Sequence, residues 1–246
     1  RRQGSARLAW PFLTHGEPHR SGQLFRETAL RALAGFGIDV DATLLVLPNE
    51  IAATESGKIR LAVLSPQLQG PLVGFGLGAG NRMKALDTAQ IEALAGQIVS
   101  RTAATLILIG TDADRAAAEA LCASLPAGRA VDTTGQWALV ELPVLLGALD
   151  CLVVVDSGAT YMADALGVPV VDFMGPADAD DQQPIGRQAV VIRSAEPCAP
   201  CSHAFDAPYA CRLGTRACIA KMPIGAVVQA VETILAPKKS VAEYRQ

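Results

Sequence analysis

The residues best suited to chemistry fall in three short stretches. In the first, the apolar run Leu152-Val153-Val154-Val155 stops at Asp156-Ser157-Gly158-Ala159-Thr160 and resumes as an Ala-rich segment. A strand that ends in a tight turn and a helix start leaves backbone N–H groups without intrahelical partners. Those donors and the helix dipole both favour an anion. Asp156, at the strand end, is placed to take sugar hydroxyls. The plainer reading is that Asp156 or Ser157 only caps the helix. In the second stretch Gly74, Gly76, Gly78 and Gly80 alternate ahead of Arg82 and Lys84. Glycines let backbone approach a ligand, and a lysine is a compact charge for a phosphate oxygen, so the pair suggests a diphosphate site. Gly74-x-Gly76-x-x-Ala79 also matches a relaxed dinucleotide fingerprint, although the next helix is predicted to begin several residues later than that pattern needs. A glycine-rich surface loop without a ligand is the third reading.

The third stretch is Cys198-x2-Cys201-x9-Cys211-x6-Cys218. It is compatible with a tetrahedral structural zinc site, in which His203 could replace one ligand, with two disulfides, or with free thiols. Cys122 and Cys151 lie in apolar contexts and read as core. No group of carboxylates flanks the glycine loop, so a catalytic metal is not suggested. His15 and His19 lie in a polar, Pro-containing segment. They read as a solvated loop, with contact to an acceptor or a diphosphate as the alternative.

These residues need elements to hold them. Leu24 to Gly35 is a plausible helix, Thr43 to Pro48 is strand-like, Asn49 to Lys58 is a polar connector, and Ile59 to Ser65 is a short apolar run. Leu72 to Gly76 is the strand that leads into the glycine loop. A helix begins after the N-cap candidate Asp87, with Ile91, Leu94, Ala95, Ile98 and Val99 on one face. Ala104 to Ile109 is a buried strand, Arg115 to Ser124 a helix, Ala130 to Asp132 a short strand, and Leu139 to Leu149 a helix with Pro143 in its first turn. Strand, Asp-Ser-Gly turn, short helix and Val168 to Val171 then form a βαβ unit. Ala189 to Arg193 is a last strand and Pro223 to Leu235 a closing helix. Strands alternating with helices of about ten residues give an α/β fold, a Rossmann-like doubly wound parallel sheet.

The chain has 246 residues, half of them hydrophobic and 18% charged, with a net charge of −3. That composition supports a sizeable core and argues against disorder. It lacks the basic tract of a nucleic-acid binder, and no apolar run reaches the length that spans a bilayer. The opening Arg1-Arg2-Gln3-Gly4-Ser5 has no initiator Met and reads as the interior of a longer chain.

Two separated blocks resemble one family. Gly76 to Lys84, then Asp156-Ser157-Gly158 followed by Gly167-Val168-Pro169-Val170-Val171, Phe173-Met174-Gly175-Pro176 and Cys198-Ala199-Pro200-Cys201 with Cys211 and Cys218, are similar to glycosyltransferase family 9, which includes ADP-heptose:lipopolysaccharide heptosyltransferases. The resemblance covers about residues 70 to 236. It implies the C-terminal half of a GT-B fold, with residues 1–58 the tail of an N-terminal acceptor-side domain and linker, 59–236 a nucleotide-sugar-binding domain, and 237–246 a polar tail. By the same resemblance Gly78, Ala79, Gly80 and Lys84 hold the donor diphosphate. Ser157 and Gly158 donate to its oxygens, and Asp156 and Tyr161 meet the donor sugar. The implied reaction moves a heptose-like sugar from a nucleotide diphosphate sugar, an ADP-sugar being favoured, to a lipopolysaccharide-core or other glycolipid acceptor. It requires no cofactor for catalysis, and it is placed in the cytoplasm or at the inner face of the membrane. Tyr161 stands where the family usually has His, which loses a group able to carry charge near neutrality. The family's catalytic carboxylate lies in an N-terminal domain that residues 1–58 do not reproduce, so no general base is named. As written, the chain is expected to bind a donor without efficient transfer. The alternatives are a non-catalytic nucleotide-sugar-binding or scaffold module and, last, a dinucleotide oxidoreductase.

Overall fold

A computed structural model describes residues 17–20, 22–39 and 53–236. The strand-like stretch Thr43 to Pro48 and the site candidate His15 lie outside those residues. Six parallel strands form one sheet: β1 Leu72–Gly76, β2 Thr105–Ile109, β3 Ala130–Asp132, β4 Cys151–Val155, β5 Val170–Met174 and β6 Ala189–Arg193, in the order β3-β2-β1-β4-β5-β6. The described helices of four residues or more are α1 Phe25–Gly35, α2 Glu55–Leu64, α3 Thr88–Arg101, α4 Arg115–Ser124, α5 Leu142–Gly147, α6 Gly158–Ala165, α7 Ala179–Gln182, α8 Ala217–Ala220 and α9 Ile224–Leu235.

The period-two alternation of the strands divides the core between the two faces of the sheet. On one face Val73, Phe75, Leu106, Leu108, Cys151, Val153, Val155, Val171 and Phe173 pack with Ile91, Leu94 and Ile98 of α3 and Val227, Val228 and Val231 of α9. On the other, Ile107, Leu152, Val154 and Val170 pack with Leu145 and Leu146 of α5 and Ala163 of α6. Every residue of β4 and of β5 is buried. That is why β4 reads as an unbroken apolar run and β5 as one interrupted only by Asp172, and each fully buried Val or Leu contributes about 1.5–3 kcal/mol.

Local chemistry starts and stops the elements as expected in most places. Asp87 caps α3 reciprocally with Gln90, the Gln90 N–H donating to Asp87 Oδ1 at 2.9 Å and the Asp87 N–H to Gln90 Oε1 at 3.1 Å. Gly167, at φ +72°, closes the turn after α6. Two readings need correction. The polar connector 49–58 and the apolar run 59–65 are not separate, because one helix, α2, spans Glu55–Leu64 and crosses the expected domain boundary at 59. Its apolar residues do not follow one stripe, and Ile59 and Val63 remain exposed, so periodicity gave no helical signal. The helix expected over Leu139–Leu149 is shorter, since Leu139 and Val140 lie exposed in the turn before α5.

β1 and β4 are neighbours in the sheet, but the chain leaves β1 toward β2 and β3 before returning to β4. This is the place where strand order reverses, and the loops after β1 and β4 open there onto a shared crevice.

Candidate functional site at the strand-order switch

The loop after β1 brings Lys84 to the loop after β4. The Lys84 ammonium forms an ion pair with Asp156 Oδ2, the Lys84 side chain 15% exposed and that of Asp156 4%. The other oxygen, Asp156 Oδ1, lies 3.0 Å from the Tyr161 hydroxyl, which also reaches the Gln182 carbonyl. One phenolic proton thus serves two acceptors. Burial, and then the charge of Asp156, push the Tyr161 phenol well above its ordinary pKa, so Tyr161 is a neutral donor here. Asp156 is thereby held by a cation on one side and a phenol on the other.

The glycines of the first loop divide into different tasks, and none from Gly74 to Gly80 takes a positive φ. A Cβ on Gly74 would lie 2.4 Å from Leu149 Cδ1, and one on Gly76 2.9 Å from Val154 Cγ1. These two glycines make room for side chains of the neighbouring strands and of the turn before β4. Gly78 faces the Asp114 carboxylate, which a Cβ would meet at 2.8 Å, and the Ala79 methyl packs on the core. A Cβ on Gly80 or Gly158 would meet nothing within 4 Å. Open space therefore lies over the Gly80 backbone and over the first residue of α6. Arg82 is exposed.

Ser157 is the N-cap of α6, and its own N–H donates to Thr160 Oγ1 at 3.2 Å. That N–H is engaged within the helix start, which leaves the hydroxyl proton as the donor of Ser157. The first-turn N–H groups of Gly158 and Ala159 are the donors that the helix leaves over. The loops Gly110–Asp112 and Asp132–Trp137, at the ends of β2 and β3, are joined by the Gly135 N–H to the Gly110 carbonyl at 3.0 Å. They extend the same rim.

Two residues beneath and beside the crevice went unnoticed in the sequence. Asp172, on β5, is fully buried and neither of its carboxyl oxygens has a hydrogen-bond partner. Burial, and then the charge of Asp156, raise its pKa well above the carboxylate range. Burial thus favours the neutral form of Asp172, close to Asp156. Its only sequence signal is an Asp inside an otherwise apolar strand. Asp114 accepts the Thr111 N–H at 2.7 Å and the Thr111 hydroxyl at 2.9 Å through one oxygen, Oδ2.

The cysteine segment braces the Lys84 loop. Asn81 Nδ2 donates to the Pro208 carbonyl at 2.9 Å, Arg216 to the Ala85 carbonyl, and Gln90 Nε2 to the Ile219 carbonyl at 2.6 Å. All four cysteines of this segment are free thiols in one neighbourhood, and the charges of Cys198, Cys201 and Cys211 reach Cys218. Backbone N–H groups of Arg216 and Leu213 lower the Cys211 pKa. No three of the four sulfurs come within 4.8 Å of one another, so the structure does not assemble Cys198, Cys201, Cys211 and Cys218 at metal-ligand spacing. His19 is not in a solvated loop. Its side chain is 12% exposed and lies between Thr28 Oγ1 at 2.9 Å and Asp181 Oδ1 at 3.1 Å.

Comparison with known proteins adds three findings. The model of glycosyltransferase family 9 (heptosyltransferase) matches residues 4–208. Among solved structures, the fold is similar to the glycosyl transferase family 9 protein from Veillonella parvula, with TM-score 0.73 and 18% identity over 93% of this chain and 64% of that one. It is also similar to E. coli heptosyltransferase WaaC with ADP, with TM-score 0.63 and 17% identity over 92% of this chain and 62% of that one. E. coli ADP-heptose lps heptosyltransferase II gives TM-score 0.58 and 22% identity over 74% and 52%. The chain thus spans about half to two-thirds of the length of these relatives. A search of curated proteins finds no match.

Proposed function

The chain belongs to glycosyltransferase family 9 (heptosyltransferase), and from that premise we propose that its crevice binds the diphosphate of a nucleotide diphosphate sugar. The observation that carries the reading is the meeting of Lys84 and Asp156, delivered by two loops at the strand-order switch beside the N-terminus of α6. The diphosphate lies across Gly80 and the Gly158 and Ala159 N–H groups, with Lys84 as its cation. An ADP-sugar is the favoured donor. The adenosine end runs along the joined loops after β2 and β3, where the second oxygen of Asp114 suits a ribose hydroxyl.

Transfer breaks the bond between sugar and diphosphate, and negative charge develops on the departing diphosphate. Fixed N–H donors and an ammonium stabilise that charge without having to reorganise. As Lys84 turns to the phosphate, Asp156 keeps the Tyr161 hydroxyl and is released to accept a sugar hydroxyl. Burial disfavours a second negative charge on Asp172 behind it. The whole protein transfers a heptose-like sugar to a lipopolysaccharide-core or similar glycolipid acceptor, at the cytoplasmic face of the membrane. A second reading, donor binding without transfer, rests on Tyr161: a neutral phenol engaged by Asp156 replaces a residue that could carry charge.

Calorimetric titration with ADP tests the proposal. Binding by the wild-type chain that weakens at least roughly tenfold in Lys84→Ala supports it, since a charge-assisted contact accounts for about that much. Absence of binding by ADP, other nucleoside diphosphates and their sugars refutes it. Turnover of a nucleotide sugar by the complete gene product separates the first reading from the second.

A further inference from the structure

A second group of side chains, away from the Lys84 crevice, has metal-ligand chemistry of its own. Asp178 and Asp181 belong to α7 and its N-cap, and His203 lies in the segment bridged to Ala177 through Ser202. The Asp178 N–H donates to the Ser202 carbonyl at 2.9 Å, so backbone holds the two segments side by side. One donor atom from each of Asp178, Asp181 and His203 lies within 4.8 Å of the others. Asp181 is 1% exposed and Asp178 9%.

The oxygens can be followed one by one. Asp178 Oδ1 accepts the Asp180 N–H at 3.0 Å. Asp181 Oδ1 faces His19 Nε2 at 3.1 Å. The two remaining oxygens, Asp178 Oδ2 and Asp181 Oδ2, converge on a single atom, His203 Nδ1, at 3.0 and 3.5 Å. Among the described residues, Asp181 Oδ2 otherwise has only the Ala204 N–H, at 3.4 Å. One ring nitrogen carries at most one proton, so two buried anionic oxygens share it. His19 engages the other oxygen of Asp181 and is itself held from behind by Thr28 Oγ1 at 2.9 Å. Among the described residues, no Lys or Arg forms an ion pair with Asp178 or Asp181.

Two buried carboxylate oxygens turned onto one ring nitrogen are costly, and the usual remedies are a paired charge or a bound ion. The residues next to the ligands give an independent sign. Ser202 Oγ, on a fully buried residue, and Gln182 Nε2 are both buried without a hydrogen-bond partner, a condition that marks missing water or ion. A divalent ion with neutral imidazole and two carboxylates makes the set electrically neutral. Mixed oxygen and nitrogen donors suit first-row transition ions, not the soft ions that thiolates select.

We propose that Asp178, Asp181 and His203 bind a divalent first-row transition-metal ion as a structural clasp between α7 and the segment from Cys201 to Asp206, with His19 orienting Asp181 from behind. The site is independent of donor binding. It adjoins the crevice through Gln182, the residue after Asp181, whose carbonyl receives the Tyr161 hydroxyl.

The test is a titration of the chelator-stripped chain with Mn²⁺, in the absence of nucleotide, followed by the electron paramagnetic resonance signal of free Mn²⁺. The expected result is a single site of sub-millimolar affinity that weakens at least roughly tenfold in His203→Ala and in Asp178→Asn. Cys198→Ser with Cys201→Ser leaves that site unchanged, which separates it from the thiols. His203 is partly exposed, so His203→Ala keeps the test usable if an aspartate variant does not fold. Failure of the wild-type chain to bind Mn²⁺ in that range, equal binding by His203→Ala, or loss of binding in the cysteine variant overturns the proposal.

Discussion

Replacing Lys84 by Met removes the ammonium that faces Asp156 and keeps most of the side-chain stem. The pair is largely withdrawn from solvent, at 15% and 4% exposure. Removing one partner of a buried pair costs about 3–5 kcal/mol, because the other charge is left uncompensated. Here the Tyr161 hydroxyl still faces Asp156 Oδ1 at 3.0 Å. A hydrogen bond to a charged group is worth about 1.5–3 kcal/mol, so the loss should fall at the lower end, about 3 kcal/mol. Asp156→Asn removes the charge that Lys84 neutralises, and the double variant leaves neither charge stranded. A double-mutant cycle by urea denaturation near neutral pH should therefore give a coupling of about 2 kcal/mol, well above the additivity error of about 0.5 kcal/mol. The four proteins should share one urea slope, since the surface exposed on unfolding is unchanged. Coupling within the additivity error would refute the view that these two groups hold each other, and with it the geometry on which the donor proposal rests.

Four further outcomes follow from the same structure. Tyr161→Phe removes the proton shared by Asp156 and the Gln182 carbonyl and should cost about 1–2 kcal/mol in urea denaturation. Asp172→Asn should stabilise the chain at neutral pH and lose its advantage in acid. The native Asp172 holds its proton above the carboxylate range while the unfolded chain releases it, so native stability falls as pH rises through that window, and the amide removes the fall. Melting temperatures of the two proteins across pH measure the crossing. Gly80→Ala should leave stability within about 0.5 kcal/mol yet weaken ADP binding, because its Cβ enters the open space of the crevice. Gly74→Ala should cost about 1–3 kcal/mol through its clash with Leu149 Cδ1, read by urea denaturation.

The parallel sheet was legible because β1, β2, β4 and β5 carry apolar runs bounded by glycine or polar turns. The N-cap of α3 was legible because Asp87 precedes a clean stripe. The α2 helix was not, since Ile59 and Val63 interrupt any single apolar face. Among the candidate residues, Lys84, Asp156 and the start of α6 were within reach of spacing and turn chemistry, and Tyr161 was named only through the family resemblance. What spacing could not convey was pairing. A sequence does not say that Lys84 would meet Asp156, that Gly74 serves packing while Gly80 faces open space, or that the Ser157 N–H is engaged by Thr160. Asp172, His19 and Asp181 depend on contacts between segments far apart in the chain, which no local pattern carries.

The three hydrogen bonds from Asn81, Gln90 and Arg216 that tie the Lys84 loop to residues 208–219 span 127 to 131 positions of the chain. During synthesis every strand of the sheet has left the ribosome before these contacts can form. The crevice is therefore completed only after all six strands, and a nascent chain that stops short of residue 208 carries those strands without the support that fixes Lys84.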